Sequence, residues 1–235
     1  MTVAPQSGQT GEQLWLELPA LSASAPGRLL VFLHGAGSRP EDFAPVAIAW
    51  QLKFPGAVGA ILQGPLPAAG GRGYDWFDGS GVAADRVSRV DRAAHDTVAR
   101  VRALQQATGF GPQRTVLVGF SQGSTVALQA LRADPGLADI VVAYASRLSC
   151  PIRPDERIAA SIHLIHGELD TIVPLVHARQ ALRGLRAAGA EVTLDVGIED
   201  AHSIGQEGVI TGTSRVMQTI FRHRRARPAA APRLH

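Results

Sequence analysis

The sequence predicts an α/β fold in which a mainly parallel sheet is flanked by helices on both faces. Three observations predict it: the length of 235 residues, a hydrophobic share of 46%, and the alternation of short apolar runs with helix-period patterns along the chain. A chain of this length and composition fits one domain with a core of its own. The same composition excludes a disordered chain and a collagen-like fibre.

Continuous apolar runs predict the central strands. They are Arg28–Leu33, Ala57–Leu62, Thr115–Phe120, residues 140–145 and residues 162–165. Runs of this kind, bounded by turn residues, are typical of strands that are buried on both faces. Residues 12–18 alternate instead, with Leu14, Leu16 and Leu18 on one face, and predict a half-exposed edge strand. Residues 191–196 predict a last strand that is less apolar.

Helix patterns lie between the strands, at residues 85–107, 121–133, 174–188 and 205–221. In the first of them, apolar side chains recur at steps of three and four and form one stripe, while arginines fill the opposite face. Because strands and helices alternate, the connections should be parallel crossovers. In such sheets the functional residues lie in loops beyond the carboxyl ends of the strands.

Residues 63–82 predict a long loop with six glycines and the aromatic residues Tyr74, Trp76 and Phe77. A loop of this length in a compact domain is usually functional or mobile. Two interpretations of Trp76 and Phe77 stay open. Either they line the acyl side of a substrate site, or they fix the loop to the core.

The positive charge is concentrated at the C-terminus. The formal net charge is +3 and Lys53 is the single lysine, while arginines crowd the last residues at positions 222, 224, 225, 227 and 233. We expect residues 1–222 to form a single domain and residues 223–235 to be a disordered basic tail rich in proline, alanine and arginine. A basic tail can also contact nucleic acid; we expect no nucleic-acid partner.

The cysteine count and the hydropathy of the chain indicate in which cellular compartment the protein is expected. The single cysteine, Cys150, excludes an intramolecular disulfide and a zinc site built from thiolates. No apolar run approaches the roughly 18–20 residues of a membrane span. Residues 1–10 lack a basic start followed by an apolar block, so we expect no signal peptide. These observations predict a cytoplasmic protein with no membrane span.

The sequence carries no cofactor or metal signal. The glycine-rich residues 70–73 are not followed by the Lys-Ser/Thr pair of a phosphate-binding loop. His163 and His166 lie three apart on a predicted strand, so their side chains point to opposite faces and do not share one ion easily. We therefore expect neither a cofactor nor a metal.

The sharpest motif is Gly119-Phe120-Ser121-Gln122-Gly123, which follows an apolar strand and opens a helix. This is the context of a nucleophile elbow, in which a sharp turn presents a serine hydroxyl at the edge of the sheet. The two glycines allow strand and helix to approach closely. The alternative is that Ser121 only caps the helix.

A serine nucleophile needs a histidine base, and the histidine needs a carboxylate that fixes its tautomer. After an elbow of this type, the expected chain order is serine, carboxylate, histidine. Among the later histidines (His163, His166, His177, His202, His223 and His235), only His202 lies in a loop between the last predicted strand and the last predicted helix. We therefore predict that His202 is the base.

The acid is predicted to be Asp170, in the loop just past the strand at residues 162–165. A turn or helix-capping aspartate is the alternative. Glu168 is its nearest competitor. Asp195 lies within a strand, and Asp200 is too near His202 in sequence to orient it easily.

An oxyanion hole is the third expected component. One donor should be the backbone N–H of Gln122, the residue after the nucleophile. The other should come from the loop after Arg28–Leu33, and we expect it to be the backbone N–H of Ala36. His34, in the same loop, is expected to be a buried structural histidine.

Several motifs together resemble those of the phospholipase/carboxylesterase family of α/β-hydrolases, which includes acyl-protein thioesterases. They are FLHGAGS at 32–38, GYDWF at 73–77, GFSQGS at 119–124, HGELDTIVP at 166–174 and EDAHSI at 199–204. They occur in order over most of the chain, and the resemblance is closest to the bacterial serine esterases. Family members often carry an acidic residue where this chain has Ser38.

The resemblance implies an α/β-hydrolase fold and a serine carboxylesterase. Because the chain has no long insertion between strands that could form a large helical lid, we expect an open site and short- to medium-chain acyl esters as substrates. The resemblance also implies a triad of Ser121, Asp170 and His202, with Ala36 and Gln122 as oxyanion donors. An acyl-thioesterase, lysophospholipase or peptidase with the same triad stays an alternative, as does a non-catalytic binding protein on this scaffold. The expected partner is a small-molecule acyl ester, and the expected state is a monomer or homodimer.

Overall fold

The computed structural model describes residues 15–25, 27–80 and 83–226 of the chain. A sheet of seven strands has the order β1-β3-β2-β6-β7-β8-β9. Its strands are β1 (Trp15–Leu18), β2 (Arg28–Leu33), β3 (Ala57–Leu62), β6 (Thr115–Phe120), β7 (Ile140–Tyr144), β8 (Ser161–Gly167) and β9 (Glu191–Gly197). Only β1 pairs antiparallel, at one edge of the sheet, and the other pairs are parallel.

The helices are α1 (Pro40–Lys53), α2 (Ala83–Thr108), α3 (Gln122–Ala133), α4 (Val176–Ala187) and α5 (Gln206–Ala226). They cover both faces of the sheet because the central strands bury alternate side chains on each face. Leu29, Val31 and Leu33 of β2 belong to one apolar cluster together with side chains of α2, α3 and α4. Leu30 and Phe32 belong to a second cluster together with side chains of α1 and α5. The predicted fold class is thus confirmed.

One helix was not expected from the sequence. α1 contains a proline in its interior, Pro45, which weakens the helical signal. Its first turn is nevertheless fixed by the Asp42 carboxylate, which accepts a hydrogen bond from the Arg39 N–H at 2.9 Å. Phe43, Ala47 and Trp50 are buried at helical spacing on the face that contacts the sheet.

The segment at residues 63–82 is more ordered than a plain loop. It contains a short antiparallel pair, β4 (Leu66–Pro67) and β5 (Tyr74–Asp75). Tyr74 also forms a bridge with Ser38 in the loop after β2. The segment therefore lies against that loop.

The prediction of a disordered tail over residues 223–235 is wrong for its first residues. α5 continues to Ala226, so residues 223–226 belong to a helix and not to a disordered end. Its last turns are fixed to the sheet: the Arg222 guanidinium pairs with Glu191 at 2.6 Å, and His223 Nδ1 lies 3.2 Å from Asp139. The rest of the predicted tail, residues 227–235, lies outside the described residues, as does the chain before Trp15 with the proposed start of β1 and the signal-peptide region.

None of the helices within the described residues combines the length and apolar character that crossing a membrane requires.

Candidate active site

Ser121 lies at the turn from β6 into α3, at the carboxyl edge of the sheet. Its backbone has φ 54° and ψ −114°, a conformation that is unfavourable for a residue with a side chain. The turn is held by hydrogen bonds to the last carbonyl of β7: Tyr144 accepts from the Ser121 N–H at 3.0 Å and from Ser124 Oγ at 2.7 Å. The Ser121 side chain makes no capping hydrogen bond to α3, so the capping alternative does not describe it.

The glycines of the elbow are required by close backbone approach. A Cβ on Gly119 would lie 2.7 Å from the Ser124 Cα atom, and a Cβ on Gly123 would lie 2.5 Å from the His34 carbonyl oxygen. Real Cβ atoms do not come this close to backbone atoms. Strand β6, helix α3 and the loop after β2 can therefore meet only when both positions are glycine.

His202 links Ser121 to Asp170. His202 Nε2 lies 3.0 Å from Ser121 Oγ, and His202 Nδ1 lies 2.8 Å from Asp170 Oδ2. A carboxylate accepts hydrogen bonds, so Nδ1 carries the proton and Nε2 is left to accept from the serine hydroxyl. The ring also packs against Phe120, with ring centroids 4.9 Å apart. The chain thus brings together three side chains that are far apart in sequence.

Asp170 is buried in the loop that follows β8. Its Oδ1 accepts from the N–H groups of Ile172 at 2.9 Å and Val173 at 2.8 Å. Burial alone would raise the pKa of the Asp170 carboxyl, but the Val173 N–H, the His202 ring and the Ile172 N–H together hold that pKa below its usual value. The carboxylate is therefore ionised and fixed when it meets His202.

His166 supports the same loop from inside the sheet. It is buried, and its Nε2 donates to the Val173 carbonyl at 2.6 Å while lying 3.5 Å from Asp170 Oδ2. Burial lowers the pKa of His166, which keeps the imidazole neutral. Sequence reasoning missed this contact. The available signal was a histidine on a buried strand four residues before the predicted acid.

The competing residues have other partners. The Asp195 carboxylate forms a bidentate pair with the Arg215 guanidinium at 2.6 and 2.9 Å. Glu168 is exposed. His163 is hydrogen-bonded to Thr193 and Thr219, on the side of the sheet away from His166. Within the part of the chain that the structure describes, no group of histidine, cysteine and carboxylate side chains is arranged to hold a metal.

The two predicted oxyanion donors belong to different segments, Gln122 to the start of α3 and Ala36 to the loop after β2. Gln122 is the first residue of α3, so its N–H has no partner inside the helix. The loop with Ala36 comes to the elbow through Gly35, which packs against Phe120 and Ser121. This loop is shaped by Gly37, whose N–H donates to the Tyr74 carbonyl at 3.0 Å and to Asp75 Oδ1 at 2.8 Å. Asp75 thus supplies a carboxylate to a loop that lacks an acidic residue at position 38.

His34 is a buried structural residue, as expected. Its Nε2 accepts from the Gly64 N–H at 3.0 Å, so Nδ1 carries the proton and donates to the Gly35 carbonyl at 2.7 Å. Burial lowers the pKa of His34, which keeps the ring neutral. The Trp76 indole N–H donates to the His34 carbonyl at 2.8 Å.

The side chain of Gln122 binds the aromatic segment, a role that sequence reasoning missed. Its Oε1 accepts from the Trp76 N–H at 2.9 Å, and its Nε2 donates to the Phe77 carbonyl at 3.2 Å. The residue next to the nucleophile therefore fixes residues 76 and 77 with both ends of its amide. The partners are backbone atoms, which leave no mark in the sequence.

Trp76 and Phe77 are 1% and 2% exposed and belong to the core on the α2 and α3 side of the sheet. This placement agrees with the interpretation in which they fix the segment to the core. They also border an open cleft of about 460 Å³ together with residues of α2, but none of Ser121, Asp170 and His202 lines that cleft. A lining role on the acyl side stays a prediction.

Comparison with known protein families identifies the family of this chain. The phospholipase/carboxylesterase family matches residues 21–214. The chain belongs to this family. Membership in the phospholipase/carboxylesterase family assigns it to the hydrolases of carboxylic esters and confirms the resemblance drawn from its motifs.

Individual proteins of similar sequence or structure agree with this assignment. The chain is 33% identical to Esterase YpfH of Escherichia coli (strain K12) over 83% of this chain and 84% of that protein. It superposes on the crystal structure of esterase PE8 with a TM-score of 0.78 and 29% identity, over 87% of this chain and 97% of that one. A Bacillus cereus carboxylesterase shares the fold with a TM-score of 0.76 at 16% identity, over 87% and 93% of the two chains.

Proposed function

We propose that this protein is a serine carboxylesterase that hydrolyses short- to medium-chain acyl esters through an acyl-enzyme on Ser121. The observation that carries the proposal is the hydrogen-bonded chain from Ser121 Oγ through His202 to Asp170 Oδ2, with links of 3.0 and 2.8 Å. Such a chain at a strained strand-to-helix turn is the arrangement that activates a serine hydroxyl.

In the acylation step, Ser121 Oγ attacks the ester carbonyl while His202 Nε2 takes the hydroxyl proton. Asp170 holds the Nδ1 proton of His202 and stabilises the imidazolium that forms. The tetrahedral intermediate collapses when His202 returns the proton to the leaving alkoxide. A water molecule then attacks the acyl-enzyme, with His202 again as base, and releases the acid and free Ser121.

The negative charge of the tetrahedral intermediate needs donors that are already in place. The N–H groups of Gln122 and Ala36 are proposed for this role. In related serine hydrolases the loss of one such donor costs about 2.7–4 kcal/mol of transition-state stabilisation. Because both donors are backbone groups, side-chain substitutions test them only through the position of their loops.

The proposed substrate range follows from the connections around the site. Within the described residues, no helical insertion separates the elbow from solvent, and the segment after β7 at residues 145–160 carries no helix. An open site gives little apolar enclosure for a long acyl chain. Modest acyl chains should therefore be preferred over long ones.

The test is the initial rate of hydrolysis of p-nitrophenyl esters from acetate to palmitate, for the wild type and for Ser121→Ala. We expect a peak at short to medium chains and a loss of several hundredfold or more in the variant. Ser203→Ala, which removes a hydroxyl near His202 in sequence, is the matched control and should keep wild-type rates.

The outcomes separate the alternatives. Hydrolysis that survives in Ser121→Ala would overturn the proposed nucleophile. A protein that cleaves thioesters but not oxygen esters in a matched pair would be a thioesterase with the same triad. Absence of cleavage in every substrate would favour a binding protein on the hydrolase scaffold.

A further inference from the structure

The last turns of α5 lie at the amino edge of the sheet, whereas Ser121 lies at the carboxyl edge. His223 Nδ1 is 3.2 Å from Asp139 Oδ2, and Asp139 directly precedes β7. The Asp139 N–H donates to the Pro112 carbonyl at 3.0 Å, in the helical turn that leads into β6. The end of α5 is therefore held beside the starts of β6 and β7.

Two arginines lie at the same edge, at the starts of neighbouring strands. Arg28 is the first residue of β2, and Arg114 directly precedes β6. β2 and β6 run parallel, and Leu29 lies beside Thr115. The two preceding arginines are therefore neighbours as well. The Arg28 guanidinium donates to the Gln113 carbonyl at 3.4 Å, which keeps it at the amino edge.

The end of α5 adds three exposed arginines, Arg222, Arg224 and Arg225. The Arg222 guanidinium pairs with Glu191 at 2.6 Å. Arg224 and Arg225 form no ion pair within the described residues. This end of the molecule therefore presents guanidiniums that the rest of the described chain does not neutralise.

The arginines of the sheet edge and of α5 share one surface. The printed contacts join them through Asp139 and the turn before β6, and the pKa of Arg28 agrees with this placement. Burial lowers that pKa, the Asp139 carboxylate opposes the change, and the charges of Arg224 and Arg114 add to it. We call this surface the basic face; its residues are Arg28, Arg114, Arg222, Arg224 and Arg225.

An exposed aromatic side chain borders the basic face. Phe221 is 63% exposed and lies three and four residues before Arg224 and Arg225, so the three side chains are neighbours on α5. An exposed aromatic ring beside arginines on a helix is typical of segments that bind at the interface of an anionic bilayer. A nucleic-acid duplex would match the arginines but offers no apolar layer for the ring.

We propose that the basic face, together with Phe221, is a docking surface for membranes that contain anionic phospholipids. The guanidiniums bind the lipid phosphates, and the ring enters the boundary between headgroups and acyl chains. Because Ser121 lies at the opposite edge of the sheet, docking leaves the proposed active site open to water. The docked protein therefore acts on dissolved esters and not on the acyl chains of the bilayer. This last consequence rests on the proposed esterase function, whereas docking does not.

The test is co-sedimentation of the full chain with phospholipid vesicles. One set contains phosphatidylglycerol and phosphatidylcholine in equal amounts, and the other contains phosphatidylcholine alone. We expect the wild type to bind the first set at low salt, to bind the second set far more weakly, and to be released from the first set by sodium chloride.

Two variants remove the proposed contacts. Each arginine near an anionic surface contributes about fivefold to binding, so Arg224→Gln combined with Arg225→Gln should weaken binding at least tenfold. Phe221→Ala should weaken it severalfold through loss of the buried ring. The matched control combines Arg179→Gln with Arg183→Gln, which removes the same charge from exposed positions of α4 and should keep wild-type binding.

Several outcomes would overturn the docking surface. They are equal binding to the two sets of vesicles, an equal loss of binding in the two double variants, and binding to a DNA oligonucleotide without binding to the anionic vesicles. Each of them leaves the esterase proposal untouched.

Hydrolysis of p-nitrophenyl butyrate, measured with and without vesicles, tests the orientation separately. All of these variants should keep the wild-type rate, and vesicles should not abolish it, since the basic face is remote from Ser121. Release of fatty acid from the vesicles by the bound protein would contradict the proposed orientation. Loss of ester hydrolysis in Ser121→Ala with unchanged vesicle binding would support both proposals independently.

Discussion

The elbow shows how single residues decide the geometry of the site. Ser121 occupies an unfavourable backbone conformation, and its neighbours Gly119 and Gly123 lie where a Cβ would meet backbone atoms. Packing around the elbow therefore compensates for local strain. The motif was readable from sequence because backbone approach of this kind admits only one residue type.

Gly123→Ala tests this packing. The added Cβ would meet the carbonyl oxygens of Leu33 and His34, so the loop with Ala36 must move away from the elbow. We expect a loss of about 1–3 kcal/mol in the free energy of unfolding, measured by urea denaturation, and a parallel loss of kcat/KM on p-nitrophenyl esters.

Gly136→Ala is the control for Gly123→Ala. Its Cβ would make only ordinary contacts, at 3.6 Å and beyond, far from the elbow. Stability and kinetics should stay near the wild type. Equal effects of the two substitutions would show that the glycine at position 123 is not required by packing.

The residues of the proposed triad could be predicted from sequence, whereas the contacts that support them could not. Ser121, Asp170 and His202 follow from the motif, the chain order and their loop positions. The contact of His166 with the Val173 carbonyl, and the contacts of Gln122 with Trp76 and Phe77, join residues to backbone atoms. Such contacts depend on the tertiary fold and place no demand on the residue type of the partner.

At the scale of elements, strands were easier to predict than helices and loops. The central strands are continuous apolar runs, and the structure has them within one or two residues of the predicted bounds. Helix α1 was missed because Pro45 interrupts its pattern. The end of α5 was predicted too early because its last turn is rich in basic residues. Such residues stabilise the C-terminal end of a helix by interacting with its dipole, but in the sequence they resemble a solvated tail.

The segment from β4 to α2 is positioned by contacts with two neighbouring elements. Tyr74 and Asp75 tie it to the loop after β2, and Gln122 ties residues 76 and 77 to α3. It therefore connects the two proposed oxyanion donors. Movement of this segment should therefore displace both proposed donors.

Gln122→Ala tests that connection while keeping the backbone N–H of residue 122. Loss of both amide hydrogen bonds should release residues 76 and 77. We expect kcat/KM to fall on the order of ten- to a hundredfold, since small displacements near the reacting atoms have effects of this size. Steady-state kinetics on p-nitrophenyl butyrate measure it.

Gln113→Ala, at an exposed position before β6 and at the opposite edge of the sheet, serves as the reference for Gln122→Ala. It should leave kcat/KM unchanged. Wild-type kinetics in Gln122→Ala would mean that the amide does not hold the segment in the active arrangement.

For the whole molecule, buried neutral histidines set the response to acid. Burial lowers the pKa of His163 from 6.5 to about 4, and burial also lowers the pKa values of His34 and His166. Below pH 6.5 these histidines therefore bind more protons in the unfolded chain than in the folded chain. Through these three histidines, we expect the free energy of unfolding to be greatest above pH 6.5 and to decrease as the pH falls toward 4.

His163→Gln tests the largest of these contributions. We expect the wild type to lose about 2–3 kcal/mol through His163 over this interval, and the variant to lose less, because its amide does not titrate. Urea unfolding at a series of pH values from 7 to 4 gives the slope. His95→Gln, at an exposed position of α2, should keep the wild-type slope; an unchanged slope in His163→Gln would contradict the account.

The central claim is that Ser121 is the nucleophile of this esterase, and covalent labelling tests it most directly. Diethyl p-nitrophenyl phosphate transfers one phosphoryl group to an activated serine and releases p-nitrophenolate. The account predicts one phosphoryl group per chain, located by mass spectrometry of proteolytic fragments at Ser121, with esterase activity lost in proportion and no label in Ser121→Ala. Label on another residue, or full activity in a chain labelled at Ser121, would contradict it.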